Sequence, residues 1–134
     1  MARLDERLAD AQAALRILEE LANRGSLSIV ERDGAILRLV YTFEAIWKAA
    51  ALLLEQQEGI AVGSPKGAIR ASRRAGLLGD QDAEDALRTA DDRNAAVHMY
   101  KQDIGKEIAE RLATHTAVLR RWLDALHERA ADEG

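Results

Sequence analysis

Within one stretch, Asp91-Asp92-Arg93-Asn94-Ala95-Ala96-Val97-His98-Met99-Tyr100, the chain gathers a guanidinium, an amide, an imidazole and a phenol. These groups suit phosphate chemistry. Arg93 offers a planar, permanently charged fork that matches phosphate oxygens. His98 is the one side-chain type here whose unperturbed pKa lies near neutrality, so it can take up and return a proton. On a helix Asn94 and His98, four apart, share a face, while Arg93 and Tyr100, seven apart, share the adjacent one. Arg93 and His98, five apart, point about 140° away from each other. For both to hold one phosphate, the arginine must reach around the helix or the helix must loosen. The alternative is purely structural: Arg93 pairs with an acid such as Glu44 or Asp92, and His98 and Tyr100 are ordinary half-buried polar residues. Spacing alone leaves both open.

Other chemistries lack their residues. The absence of cysteine removes thiol nucleophiles, disulfides and cysteine-ligated zinc together. A phosphate-binding P-loop needs Gly, four residues, then Gly-Lys-Ser/Thr, an order that Gly63-Ser64-Pro65-Lys66-Gly67 does not follow. A di-iron bundle needs Glu-x-x-His pairs, yet the residues three before His98, His115 and His127 are Ala95, Leu112 and Asp124. One Asp124-x-x-His127 pair near the end of the chain supplies too few ligands, so neither metal nor cofactor is expected. Lys66, Arg70, Arg73 and Arg74 lie within nine residues free of acids, ahead of the acidic run Asp80, Asp82, Glu84, Asp85, Asp91 and Asp92. Either the two segments neutralise each other, or the cations form a strip that touches an RNA backbone or a protein partner. Phe43, Trp47 and Trp122 read as core aromatics, and Glu44 with Lys48 as an i,i+4 pair.

The elements that must position these residues read as helices. One proline and nine glycines leave few places to turn, and most glycines fall where the helical period breaks. Leu4, Leu8, Ala11, Leu15, Leu18 and Ala22 form one stripe of a first helix over about 3–23, with Gly25 as its expected C-terminal cap. Ser28 and Glu31 form a capping box that opens a second helix at Ile29, running to about Gln57. Its residues Ile36, Leu37, Leu39, Val40, Phe43, Ile46, Trp47 and Leu52 to Leu54 are apolar on most sides, so it is central or part of a subunit interface. Ser64 then Pro65 is an N-cap and first-turn proline, opening a short helix that Gly76 closes. Asp80 is expected to cap a fourth helix, with Ala83, Ala86, Leu87, Ala90 and Val97 inward and fraying near Tyr100. Asp103 is expected to cap a fifth, with Ile104, Ile108, Leu112, Leu119, Trp122 and Leu126 on one face, and 129–134 a loose tail. The fold class is therefore all-α: one domain over 1–134, an antiparallel up-down four-helix bundle with one additional short helix.

Composition sets the bounds. A chain of 134 residues with 48% hydrophobic and 31% charged residues can bury a core of its own. The charge balance, 19 − 23 = −4, argues against duplex DNA, though a local basic site for single-stranded RNA or a nucleotide fits. The longest apolar run, Ala49 to Leu54, has six residues, far short of a membrane span, and the start lacks a signal-peptide core. A cytoplasmic protein without membrane contact is expected.

Arg93, four residues, His98, one residue, Tyr100 reproduces the R-x4-H-x-Y signature of HEPN domains. Arg32-Asp33 and Arg38 lead into Phe43-Glu44-x-x-Trp47-Lys48, and Ser64-Pro65 precedes Ile69-Arg70 and Ala75-Gly76-Leu77, all in the order of one HEPN branch. The chain resembles that branch, the HepT-like toxins and nucleotidyltransferase substrate-binding proteins, from about Glu31 into the fifth helix. The resemblance implies a helical bundle that forms a homodimer or higher homo-oligomer. It also implies a metal-independent ribonuclease site at the dimer cleft and a cognate minimal nucleotidyltransferase as partner. In such pairs the enzyme adds AMP to the motif tyrosine and silences the toxin. Carried over by residue, Arg93 would hold the scissile phosphate, and His98 would move protons for attack by a ribose 2′-hydroxyl. Asn94 would orient His98 or the substrate, and Tyr100 would accept AMP. One histidine per chain is thin for acid–base work, but a twofold axis can bring two motifs to one cleft. The branch also includes members described only as partners of the nucleotidyltransferase, so a non-catalytic nucleotide-binding or adaptor module is the alternative.

Overall fold

A computed structural model describes residues 2–133, and among them every regular element is helical. They are α1 (Ala2–Ala22), α2 (Ile29–Glu58), α3 (Pro65–Arg74), α4 (Asp80–Ala95), α5 (Gln102–Glu110) and α6 (Leu112–Glu133). A single 3-10 turn, Ala96–His98, follows α4. The long helices α1, α2, α4 and α6 make the bundle, and α3 and α5 pack against α2.

Local chemistry places the helix starts. The Glu31 amide donates to Ser28 Oγ at 3.1 Å while the Ser28 amide donates to Glu31 Oε1 at 2.9 Å, the reciprocal box that satisfies two first-turn donors. At α3, Ser64 Oγ accepts from the Gly67 amide at 3.0 Å and Pro65 occupies the first turn, where no backbone donor is missed. Gly59 at φ 68° and Gly76 at φ 81° end α2 and follow α3 in the left-handed conformation that a side chain would strain. The middle of α2 is the axis of the core: Ile36, Leu39, Phe43, Ile46, Leu53 and Leu54 are fully buried. Trp122 of α6 is buried against it, and its indole N–H donates to Ser72 Oγ of α3 at 3.1 Å, so its one polar atom is satisfied.

Several expectations need correction. The fifth helix is two, broken at Arg111 (φ −97°, ψ 3°), so the bundle carries two short helices rather than one. A one-residue break keeps Ile108 and Leu112 both buried, which is why the apolar period gave no sign of it. The tail is helical from Arg129 to Glu133, because Arg129 is tied down: its guanidinium donates to the Ala75 carbonyl at 2.9 Å, and its own carbonyl accepts from Gln57 Nε2 at 3.4 Å. Gly134 lies outside the described residues. Gly25 is not a left-handed cap, since Leu21 and Glu19 carbonyls close the end of α1 through the Arg24 and Asn23 amides. Gly79 and Lys101, not Asp80 and Asp103, hold the N-cap positions of α4 and α5, and neither aspartate makes a side-chain cap. Val97 points outward, 72% exposed, because the tightening of α4 after Ala95 turns it off the core face.

Candidate functional site

The motif sits where α4 gives way to the 3-10 turn. Arg93, on the last turn of α4, reaches across to α2: its Nε donates to Glu44 Oε1 at 2.8 Å and its Nη2 lies 2.7 Å from the same oxygen. Its Nη1 donates to Asn94 Oδ1 at 3.3 Å. Glu44 also accepts from the Trp47 indole N–H at 3.3 Å and lies 3.9 Å from Lys48 Nζ, the i,i+4 pair read from spacing. Arg93 thus has an acidic partner, as the structural alternative required, yet its side chain keeps 35% of its surface exposed.

His98 and Tyr100 are not half-buried. Both are exposed, Tyr100 at 72%, and their rings stand edge to face with centroids 6.2 Å apart. The helix does loosen, as bringing Arg93 and His98 to one phosphate demands, but no hydrogen bond joins the two among the described residues. Asn94 is bonded by Arg93 and not by His98.

Asp92 is not a partner of Arg93. It faces the other way, toward the start of α6, where Arg111, at the break before that helix, grips it with Nε at 2.7 Å and Nη2 at 2.8 Å. His115 Nε2 lies 2.5 Å from Asp92 Oδ2, and His115 Nδ1 lies 2.7 Å from Thr89 Oγ1. His115 and Thr89 are fully enclosed. Burial pushes His115 below its ordinary value, the direction that favours the neutral imidazole, with Nε2 facing the Asp92 carboxylate and Nδ1 facing Thr89 Oγ1, whose hydroxyl donates to the Asp85 carbonyl at 2.9 Å. Burial alone would raise Asp92, but hydrogen bonds from Arg111 and His115 outweigh it and hold the carboxyl below its usual range. Reading the sequence missed this network, although there was a signal. His115 falls in the apolar stripe of Leu112, Leu119 and Trp122, and a polar side chain there needs a buried partner.

The basic strip on α3 is half neutralised. Lys66 pairs with Asp91 at 2.7 Å and Arg73 with Asp80 at 2.8 Å, whereas exposed Arg70 and Arg74 have no carboxylate partner among the described residues. Arg70, Arg73 and Arg74 line a groove of about 480 Å³ between α3 and α4, opposite Glu84. A second cavity, of about 530 Å³, lies past the Lys66 bridge between α2, α3 and α4, and Trp47, Lys66, Arg93 and Asn94 line it. No group of three or more His, Asp or Glu side chains gathers around a metal-sized space among the described residues. No described helix is long and apolar enough to cross a membrane.

Comparison with known proteins agrees with this architecture. A crystal structure of a Thermus thermophilus protein, 44% identical, superposes with a TM-score of 0.84 over 87% of this chain and 98% of that one. An MntA-HpeT toxin–antitoxin structure superposes at 0.78 with 17% identity, over 96% of this chain and 99% of that one. A tri-AMPylated Shewanella oneidensis HEPN toxin in complex with MNT antitoxin superposes at 0.74 with 18% identity, over 93% and 96%. At these last identities the likeness shows the fold alone. No curated protein sequence matches significantly. The family model "Nucleotidyltransferase substrate binding protein like" matches residues 6–128, nearly the whole chain. The bundle, the R-x4-H-x-Y motif at the end of its fourth helix and this match together place the chain in the nucleotidyltransferase substrate-binding-protein-like family, with the HEPN-type fold.

Proposed function

We propose that this chain is the HEPN-type partner of a minimal nucleotidyltransferase, and a metal-independent ribonuclease toxin that AMP transfer to Tyr100 silences. The observation that carries this reading is the exposed His98–Tyr100 pair at the broken end of α4, on the same helix end that bears the half-exposed guanidinium of Arg93. An RNA phosphate meets the exposed edge of the Arg93 guanidinium while Glu44 keeps its Nε, and His98 takes the proton of a ribose 2′-hydroxyl as its oxygen attacks phosphorus. The 5′-oxygen leaves, and a 2′,3′-cyclic phosphate remains. The protonated His98 of a second copy returns a proton to the leaving oxygen, which is why the reading needs a homodimer. Val30, Leu37 and Tyr41 on the outer side of α2, with Val97 near the motif, are large apolar side chains left exposed, which supports that pairing. Light scattering at micromolar concentration is expected to report at least twice the 14.7 kDa chain mass, and a clean monomer removes the composite site. Arg70 and Arg74, the unpaired cations of the α3 strip, serve as RNA or partner contacts, with Lys66 and Arg73 held back by their aspartates.

AMP on Tyr100 sets a bulky anionic phosphodiester beside His98 and competes with RNA phosphate for Arg93. Incubation with the cognate nucleotidyltransferase, ATP and Mg²⁺ is expected to add AMP masses to the wild type and none to Tyr100→Phe, while that variant keeps its unmodified activity. Transfer to Tyr41 instead, read by mass spectrometry, would sink this assignment. One observation favours a second reading, a non-catalytic module presenting Tyr100: Arg93 is already paired with Glu44. Expression of the chain alone separates the two, since growth arrest with RNA loss belongs only to the enzyme.

A further inference from the structure

The cavity between α2, α3 and α4 is not used by phosphate or proton chemistry, yet it opens directly beside Arg93. Its volume, about 530 Å³, falls in the range of small-ligand pockets. Its charges cancel locally, because Lys66 is paired with Asp91 and Arg93 with Glu44. A nearly neutral cavity rimmed by donors and acceptors suits an uncharged polar ring better than a second anion. Trp47 supplies the matching surface. It is the one half-buried Trp, Phe or Tyr among the described residues; Phe43 and Trp122 are enclosed, Tyr41 and Tyr100 exposed. Its indole N–H donates to Glu44 Oε2, which fixes the ring instead of leaving it to rotate. The same carboxylate holds Arg93, so the aromatic wall and the phosphate-binding fork are joined through one residue. Asn94 and Lys66 add an amide and an ammonium at the rim.

We propose that this cavity is a nucleobase subsite, in which Trp47 stacks on the base of an RNA nucleotide whose phosphate lies on Arg93. It rests on the ribonuclease reading for the identity of the ligand. Stacking on an aromatic ring tolerates any base, so the subsite strengthens binding more than it selects sequence. A hydrogen bond from the Asn94 amide to a base edge adds what preference there is.

Tryptophan fluorescence tests this on the His98→Ala protein, which binds without cleaving. Trp122 is enclosed, so quenching by a ligand reports Trp47. Adenosine 5′-monophosphate and a five-nucleotide oligoribonucleotide are expected to quench, and ribose 5-phosphate, which lacks the base, is not. Trp47→Leu is expected to raise the Kd of the oligonucleotide about 10- to 100-fold. Trp47→Phe, which loses the bond to Glu44 but keeps an aromatic face, is expected to restore most of the binding. Equal quenching by ribose 5-phosphate, or an unchanged Kd in Trp47→Leu, overturns the subsite. Should Trp47→Leu fail to fold, the quenching comparison on the His98→Ala protein still decides. Cleavage assays keep the two readings apart. An oligonucleotide that binds and quenches the wild type but is never cut overturns the ribonuclease and leaves the subsite. Cleavage with unaltered KM in Trp47→Leu overturns the subsite and leaves the ribonuclease.

Discussion

Asp92 and Arg93 are neighbours in the chain, yet the two sides of α4 that they occupy behave oppositely. Asp92 is buried, bound by Arg111 and His115, and through His115 tied to Thr89 one turn earlier. Arg93 is half exposed and held by one carboxylate that solvent also reaches. The Asp92–His115 contact is buried on both sides and costly to break, although Arg111 itself is partly exposed, while a pair that solvent reaches on both sides, as Arg93–Glu44 is, exchanges partners at little cost. The Asp92 side therefore anchors the end of α4 to α6. The Arg93 side, and the exposed turn that follows it, is left free to meet a ligand.

The sharpest break of this comparison is His98→Ala. On the proposed mechanism it lowers RNA cleavage by about 10²–10⁴-fold, the usual worth of a proton-transfer group. Because His98 is exposed and makes no hydrogen bond that the fold depends on, its melting temperature is expected to stay at the wild-type value. Full activity in the variant defeats the mechanism, and a large loss of stability returns His98 to a structural role.

Asp92→Ala is the mirror case. It leaves the buried His115 N–H without an acceptor, and a buried donor left unsatisfied costs about 1–3 kcal/mol; Arg111, whose side chain is partly exposed, turns to solvent. Urea unfolding measures this directly. A loss below about 0.5 kcal/mol, the usual scale of surface changes, would erase the distinction between the two sides.

Acid sharpens the contrast less severely. His115 has a folded pKa below its unfolded value of 6.5, so its contribution is complete above about 6.5 and is lost as pH falls toward the folded value. Asp92 is likewise depressed below 3.8, so its share is lost only in stronger acid. The melting temperature is expected to fall as the pH drops below about 6.5, and His115→Gln, which cannot titrate, to flatten that fall. An equal slope in both proteins contradicts the assignment of a neutral buried imidazole.

The smallest effect is expected from Arg70→Ala with Arg74→Ala. Both cations are exposed and unpaired, so stability changes little. Oligonucleotide affinity falls modestly, and the salt dependence of binding flattens by about 0.7 for each single-strand phosphate that the variant no longer neutralises. An unchanged salt slope removes the α3 strip from the RNA path.

How much could be read beforehand varies along the chain in a consistent way. Ser28 with Glu31, Ser64 with Pro65, and the stripes of α1 and α2 are local patterns, since caps act over three residues and a helical face over seven. The sequence by itself therefore determined an all-helical chain, most helix starts, and the motif that bears Arg93, His98 and Tyr100. The break at Arg111 and the ordered tail at Arg129 were not legible, and at both the side chain is engaged by a partner far along the chain: Asp92 for the one, Ala75 for the other. The same holds at the site. Tertiary structure alone decided that Arg93 meets Glu44, 49 residues away, and that Asp92 turns to His115, 23 residues away. Periodicity says which face of a helix is apolar, not which helix lies against it. Once the bundle packs, two adjacent residues about 100° apart on α4 face different neighbours, and that rotation separates the anchor from the binding side.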